Sequence, residues 1–249
     1  MKTVLITGCS SGFGLATAQH FLEQGWHVVA TMRTPRNDVL PASDRLRILP
    51  LDVTDAASIR AAIDAAGPID ALVNNAGIGV LYPLEAIAMA TARAVFEANT
   101  LGTIAMTQAV LPAFRAQGAG VIVNVTSTVT LVPLPLLSVY TASKAAVNAF
   151  TESLALELAP LGIRTRLVLP GRSPSTRFGE NARSHMQGEL PEAYRPMLDA
   201  VVANVRGDGP VTHAEDVARA VWRAVTDPAA PMRIPAGADA EAVAASLPG

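Results

Sequence analysis

The chain has 249 residues, half of them apolar, with 4% aromatic and 16% charged; that suits one large α/β domain or two small ones and excludes a disordered, weakly hydrophobic chain. A formal net charge of −2 offers no broad basic surface, which argues against nucleic acid as a partner. Cys9 is the one cysteine, so an intramolecular disulfide is excluded, and a reducing compartment is the simplest reading.

The apolar run in Met1–Gly8 is shorter than a signal-peptide core, and no stretch approaches the roughly 20 apolar residues of a membrane span. A cytoplasmic protein is therefore expected. Thr3 to Thr7 reads as a buried strand. Gly12 to Gln24 has helical spacing, with Leu15, Ala18, Phe21 and Leu22 on one face and Gly25 as the stop. His27 to Thr31 and Leu46 to Leu51 read as strands, Asp55 to Ala65 as a helix and Ile69 to Asn74 as a fourth strand. A long helix is expected over about Thr91 to Gln117, a strand over Val121 to Thr126, a second long helix over about Val139 to Leu158, and a strand over Arg164 to Leu169. Strands alternating with helices predict right-handed crossovers. The expected fold is a single Rossmann-type, doubly wound parallel sheet of about seven strands, one domain over residues 1–249.

Residues 172–206 break the pattern, with Pro174, Pro191 and Pro196 among glycines. They read as a substrate lid or as disorder, and Pro191 to Val205 also suits a helix with Pro191 in its first turn. The tail from Pro235 is rich in Ala, Pro and Gly, and is expected on the surface or at an interface.

Thr7-Gly8-Cys9-Ser10-Ser11-Gly12-Phe13-Gly14 stands between the first strand and the first helix. Glycines there let the backbone approach a pyrophosphate closely, and the helix N-terminus presents free N–H groups to the anion. The alternative is a glycine-rich turn with no ligand; its place inside a βαβ unit argues for the phosphate site. The spacing, Gly-x-x-x-Gly-x-Gly, resembles the cofactor loop of the short-chain dehydrogenase/reductase family. That resemblance covers essentially residues 3 to 170, and implies a nicotinamide dinucleotide held by Gly8, Ser10, Ser11, Gly12, Phe13 and Gly14.

At the end of the second strand, Val28-Val29-Ala30-Thr31-Met32-Arg33, no carboxylate precedes Asp38. Arg33 supplies a guanidinium for a 2′-phosphate, with Arg36 as a second candidate; a solvated charge at a strand end is the other reading of Arg33. NADP(H) is thus expected over NAD(H). The resemblance places Asp52 at the adenine with the Val53 backbone beside it, although Asp52 also reads as a cap of the next helix. Asn74-Asn75-Ala76-Gly77 is similar to the family's Asn-Asn-Ala-Gly element, which assigns Asn75, Ala76 and Gly77 to the cofactor side.

Tyr140 and Lys144, four apart on a predicted helix, project from one face. They match the family's Tyr-x-x-x-Lys pair, with Ser127 thirteen residues earlier in the place of its catalytic serine. Reduction of a ketone needs a hydride at carbon and a proton at oxygen. A free tyrosine titrates near pH ~10, so a base near neutrality needs an ammonium such as Lys144 to favour the phenolate. Ser127 would hold the substrate oxygen. Asn99 matches the family's helix-kinking Asn, which implies a water relay to Lys144; alone it reads as a surface or packing residue. Pro170-Gly171 resembles the turn beside the nicotinamide, with Thr176 as a loosely spaced carboxamide contact.

Leu134, Pro135, Leu136 and Leu137 lie between Ser127 and Tyr140. With Phe178 and Met186 they suggest an apolar pocket, Leu134, Leu137 and Phe178 lining it; ordinary packing under a loop is the alternative. A hydrophobic ketone or secondary alcohol is the expected substrate, and no metal site is expected. The family's pairing of two long helices implies a homodimer or homotetramer. A redox-silent NADP(H)-binding regulator and an NAD-preferring dehydrogenase are the rival readings.

Overall fold

The computed structural model describes residues 1–176 and 190–247; Phe178 and Met186 lie outside the described residues. Seven strands form one parallel sheet in the order β3-β2-β1-β4-β5-β6-β7. They are β1 (Thr3–Ile6), β2 (His27–Met32), β3 (Leu46–Pro50), β4 (Ala71–Asn74), β5 (Gly120–Val125), β6 (Ile163–Pro170) and β7 (Arg233–Ala236). The helices among the described residues are α1 (Gly12–Glu23), α2 (Ala56–Ala66), α3 (Met89–Phe96), α4 (Gly102–Gln117), α5 (Ser138–Leu158), α6 (Arg195–Arg206), α7 (Ala214–Thr226) and α8 (Ala238–Ala245).

Successive strand residues feed opposite faces, the period-two rule of a pleated strand. Val4, Ile6, Val28, Ala30, Val73 and Val123 join one apolar core with Phe21 of α1 and Val221 of α7. Leu5, Val29, Leu72 and Ile122 join the other with Ile59 of α2, Phe114 of α4 and Leu154 of α5. Both faces are covered, which is why these strands read as near-continuous apolar runs. The chain moves outward from β1 to β3 and then returns to β4 on the other side of β1. The crossovers diverge there and leave a crevice at the strands' carboxyl ends.

Two expectations are revised and one open alternative is decided. The helix expected over 91–117 is interrupted: Glu97–Leu101 forms a π turn in which the Gly102 N–H reaches back to the Glu97 carbonyl. Such a turn inserts one residue into the helical ladder. Residues 192–206 are helical, a single 3₁₀ turn (Glu192–Tyr194) running into α6, which agrees with the helical option for this stretch. The tail from Pro235 is not simply on the surface. Pro235 and Ala236 belong to β7, paired with Leu169 and Pro170, and Ala240 of α8 is fully buried. Four residues containing a proline carry little strand signal, and proline is tolerated here because β7 is an edge strand.

Candidate active site

The glycine loop is shaped by contacts that exclude side chains. Gly8 adopts φ +75°, and a Cβ there would sit 2.9 Å from the Ala76 Cα. Glycine meets both demands without strain. A Cβ on Gly14 would collide with the Gly8 carbonyl and the Asn75 amide. Gly14 thus seats α1 against the loop instead of lining the crevice. Ser11 ends the loop in extended geometry, makes no side-chain cap, and α1 has no acidic residue in its first turn. The first N–H groups of α1 therefore lack the usual side-chain partner, a donor set suited to a phosphate.

Thr7, which opens the glycine motif but was not among the expected site residues, ties the loop to the end of β4. Its Oγ1 accepts from the N–H groups of Asn75 (3.0 Å) and Ala76 (2.9 Å). Asn75 Nδ2 returns bonds to the carbonyls of Thr7 (2.9 Å) and Gly8 (3.2 Å). The ends of β1 and β4 are laced together across the switch point. Thr in first place of the Thr-Gly motif was the available signal.

A cleft of about 830 Å³ opens here, within the usual range of ligand sites. Gly8, Ser10, Ser11, Gly12 and Phe13 line it at the loop, and Asn75, Ala76 and Gly77 line it at β4. Arg33 and Asp52 to Thr54 line its far end. Arg33 is exposed there, whereas Arg36 is turned to Asp38 in a 3.2 Å ion pair. Asp52 Oδ1 accepts from Thr54 N (2.9 Å) and Thr54 Oγ1 (2.7 Å). Those bonds hold its carboxyl below the usual carboxylate range, with a smaller contribution from Arg33. The cap of α2 is Asp55, which accepts from Ala57 N at 2.8 Å; the capping alternative for Asp52 does not hold. Thr176 also lines the cleft, opposite Gly12, and its Oγ1 donates to Ser173 O at 3.0 Å.

Ser127, Tyr140 and Lys144 gather at the carboxyl end of β5, all buried. Ser127 caps a 3₁₀ turn, its Oγ accepting from Val129 N at 3.3 Å, and its hydroxyl favours the ionised form of the Tyr140 phenol. Lys144 Nζ donates to the Val125 carbonyl at 2.9 Å. Gly77 is the shared wall with the cleft: a Cβ on it would lie 3.4 Å from Lys144 Nζ and 2.9 Å from Asn99 Oδ1. Burial pushes the Lys144 ammonium down to about 8. Burial also raises the Tyr140 phenol well above its ordinary value, only partly offset by Ser127. Desolvation thus outweighs the Ser127 contribution.

Asn99 lies within the π turn. Its Oδ1 accepts from Ile78 N (2.8 Å), and its Nδ2 donates to Ile78 O (2.9 Å) and Ser143 Oγ (3.0 Å). Ser143 Oγ in turn donates to the Tyr140 carbonyl at 2.7 Å. Ser143, unmarked in the sequence reading, thereby links Asn99 to the helical turn that carries Tyr140. Leu134 and Leu137 pack, partly buried, on a cluster of Val80, Tyr82, Val139 and Tyr140. Pro170 is buried and Gly171 is held by Thr212; neither lines the wide cleft. Cys9 is fully buried beneath the loop, its thiol raised to about 12 by desolvation, which makes it a packing residue.

The sequence model for short chain dehydrogenases matches residues 2–187. An uncharacterised oxidoreductase of Bacillus subtilis, YusZ, is 37% identical over 84% of this chain and 78% of its own length. Retinol dehydrogenase 8 of Bos taurus is 33% identical over 93% of this chain and 80% of its own. Among solved structures, a short chain dehydrogenase from Burkholderia cenocepacia in complex with NADP superposes with a TM-score of 0.77 at 30% identity, covering 99% of this chain and 94% of its own. A 3-ketoacyl-(acyl-carrier-protein) reductase from Brucella melitensis complexed with NADH gives 0.78 at 28% identity, over 94% and 96%.

Proposed function

The chain belongs to the short-chain dehydrogenase family, and we propose that it transfers a hydride between NADP(H) and a hydrophobic ketone or secondary alcohol, with Tyr140 as the proton-transfer residue. The observation that carries this reading is the gathering of buried Ser127, Tyr140 and Lys144 at the carboxyl end of β5, with Lys144 behind the Gly77 wall of the dinucleotide-sized cleft. The cleft suits a nicotinamide dinucleotide. The uncapped N-terminus of α1 would hold the pyrophosphate, Asp52 and Val53 would flank the adenine, Asn75 to Gly77 would border the ribose, and Arg33 would pair with a 2′-phosphate. When bound, that cofactor supplies or accepts the hydride, and in its oxidised form it adds a positive charge near the phenol.

The protein's own residues manage the oxygen. Ser127 Oγ accepts from Val129 N, and its hydroxyl, which favours the Tyr140 phenolate, would turn its proton to the substrate oxygen. Tyr140 Oη gives its proton to that oxygen in reduction and removes it in oxidation. A phenol raised by burial holds its proton as an acid and needs added positive charge to serve as a base. Lys144 supplies part of that charge from behind Gly77. Asn99 and Ser143 brace the turn that carries Tyr140; Thr176 lines the cleft, and the Pro170–Gly171 turn, outside the cleft lining, would flank the nicotinamide end as the family resemblance implies.

The apolar cluster of Val80, Tyr82, Leu134 and Leu137 against Tyr140 supports a hydrophobic substrate, as does the likeness to retinol dehydrogenase 8. Exposed Leu101, next to α4, and Leu156 of α5 support a homo-oligomer built on the two long helices. NADPH oxidation with a panel of lipophilic and polar carbonyls, in wild type and Tyr140→Phe, tests the reading. The variant should bind NADPH normally and lose turnover by about 10²–10⁴-fold. Wild-type turnover in that variant, or turnover of small polar sugars alone, overturns it.

A further inference from the structure

The carboxyl end of β6 is held in place from the far end of the chain. Pairing of β6 with β7 ends at Pro170 opposite Ala236, so beyond it no sheet bond fixes the backbone. Its next two N–H groups are taken by side chains instead. Gly171 donates to Thr212 Oγ1 at 2.9 Å, and Arg172 donates to Asp239 Oδ2 at 2.6 Å. Thr212 Oγ1 lies 2.7 Å from Asp239 Oδ1 and 2.8 Å from the Ala236 carbonyl. Asp239 stands in the first turn of α8. A Cβ on Gly171 would fall inside the Asp239 carboxylate, so the turn lies directly over it.

This turn borders the chemistry. Thr126, next to Ser127, donates its N–H to Val168 of β6 at 2.8 Å, and α8 packs on the 3₁₀ turn that follows Ser127. The Arg172 side chain meanwhile donates to the carbonyls of Asn204 (2.7 Å), Gly207 (2.9 Å) and Pro210 (2.9 Å) at the end of α6. The peptide that Asp239 orients is therefore the junction between the β6 end and the segment beside it.

We propose that Asp239 is a positioning residue: its carboxylate fixes the Gly171–Arg172 peptide, and the C-terminal helix thereby sets the nicotinamide side of the cofactor seat. The inference rests on the reading of Pro170–Gly171 as the nicotinamide flank. A hydrogen bond to an ionised acceptor is about twice as strong as a neutral one and is directional. Its loss takes that acceptor from the Arg172 N–H and leaves the turn held by Thr212, whose backbone N–H donates to the Arg172 carbonyl at 2.8 Å.

Calorimetric titration of NADPH and NADH tests the assignment, alongside thermal unfolding. Asp239→Ala should weaken dinucleotide binding about tenfold or more, and raise the KM for dinucleotide, while kcat at saturation stays within about threefold. Asp239→Asn keeps the shape and an acceptor oxygen, and should restore affinity to within about threefold. Gly171→Ala combined with Asp239→Ala should bind no more weakly than Gly171→Ala alone, because both break one contact. A folded Asp239→Ala protein with wild-type affinity overturns the proposal. If that variant fails to fold, Thr212→Val decides: it removes the acceptor of Gly171 and a partner of Asp239, and unchanged affinity overturns the proposal equally. Wild type that binds neither dinucleotide is a different outcome, in which the functional reading itself falls and this inference with it.

Discussion

Lys144 Nζ lies 2.9 Å from the Val125 carbonyl, a cation buried between α5 and the end of β5 and bonded, among the described residues, to one backbone oxygen. Its pKa falls from 10.5 to about 8 because burial disfavours the ammonium. Between those two values the unfolded chain holds the proton and the folded protein does not, so stability rises with pH across that window. Below about pH 8 the cost of the buried charge is fully present. Lys144→Met abolishes this titration. The stability of wild type relative to the variant should therefore increase by on the order of 3 kcal/mol from pH 7.5 to 10.5. Guanidinium unfolding at the two pH values measures it, and a constant difference would show that Lys144 titrates normally.

Arg33 stands exposed at the far end of the cleft, while Arg36 is engaged with Asp38. A guanidinium in that place pairs with a 2′-phosphate, and a carboxylate in the same place repels it. Arg33→Asp should lower kcat/KM for NADPH at least tenfold and raise it for NADH. Because the pair is solvent-exposed, the wild-type preference should also shrink between 0.05 and 0.5 M salt, roughly as screening shortens the Debye length. Equal kcat/KM for the two cofactors in wild type would refute the NADP(H) preference.

Leu136 has φ +65°, the left-handed region, and is buried between the positions of Ser127 and Tyr140. Its carbonyl accepts from Tyr82 N at 2.9 Å, which pins the loop to the segment after β4. A non-glycine residue there costs about 1–2 kcal/mol. Leu136→Ala loses the side chain and keeps the strain, whereas Leu136→Gly loses the side chain and relieves it. The glycine variant should therefore be the more stable of the two by about 1 kcal/mol, the reverse of the order expected in ordinary backbone. Equal stabilities, or alanine ahead, would mean the strain is absent in solution.

Much of this protein was written in local signals. Apolar runs of strand length, helical spacing and a stop at Gly25 depend on near neighbours, so six of the seven strands and the helices α1, α2 and α5 were legible, with bounds that differ by a residue or two. The glycine loop and the Tyr140–Lys144 pair were legible for the same reason, since a turn and an i,i+4 relation are short-range. What only the tertiary structure decided involves partners far apart in sequence. β7 forms because β6 offers an edge, although its own four residues include a proline. Thr7 matters because β4 ends beside it, 68 residues on. Ser143 connects to Asn99 across 44 residues, and Asp239 to Arg172 across 67. The titration of Tyr140 and Lys144 likewise turned on burial, a property of the whole packed core that no motif carries: the spacing foretold an ammonium near a phenol, and desolvation set which way each one shifted.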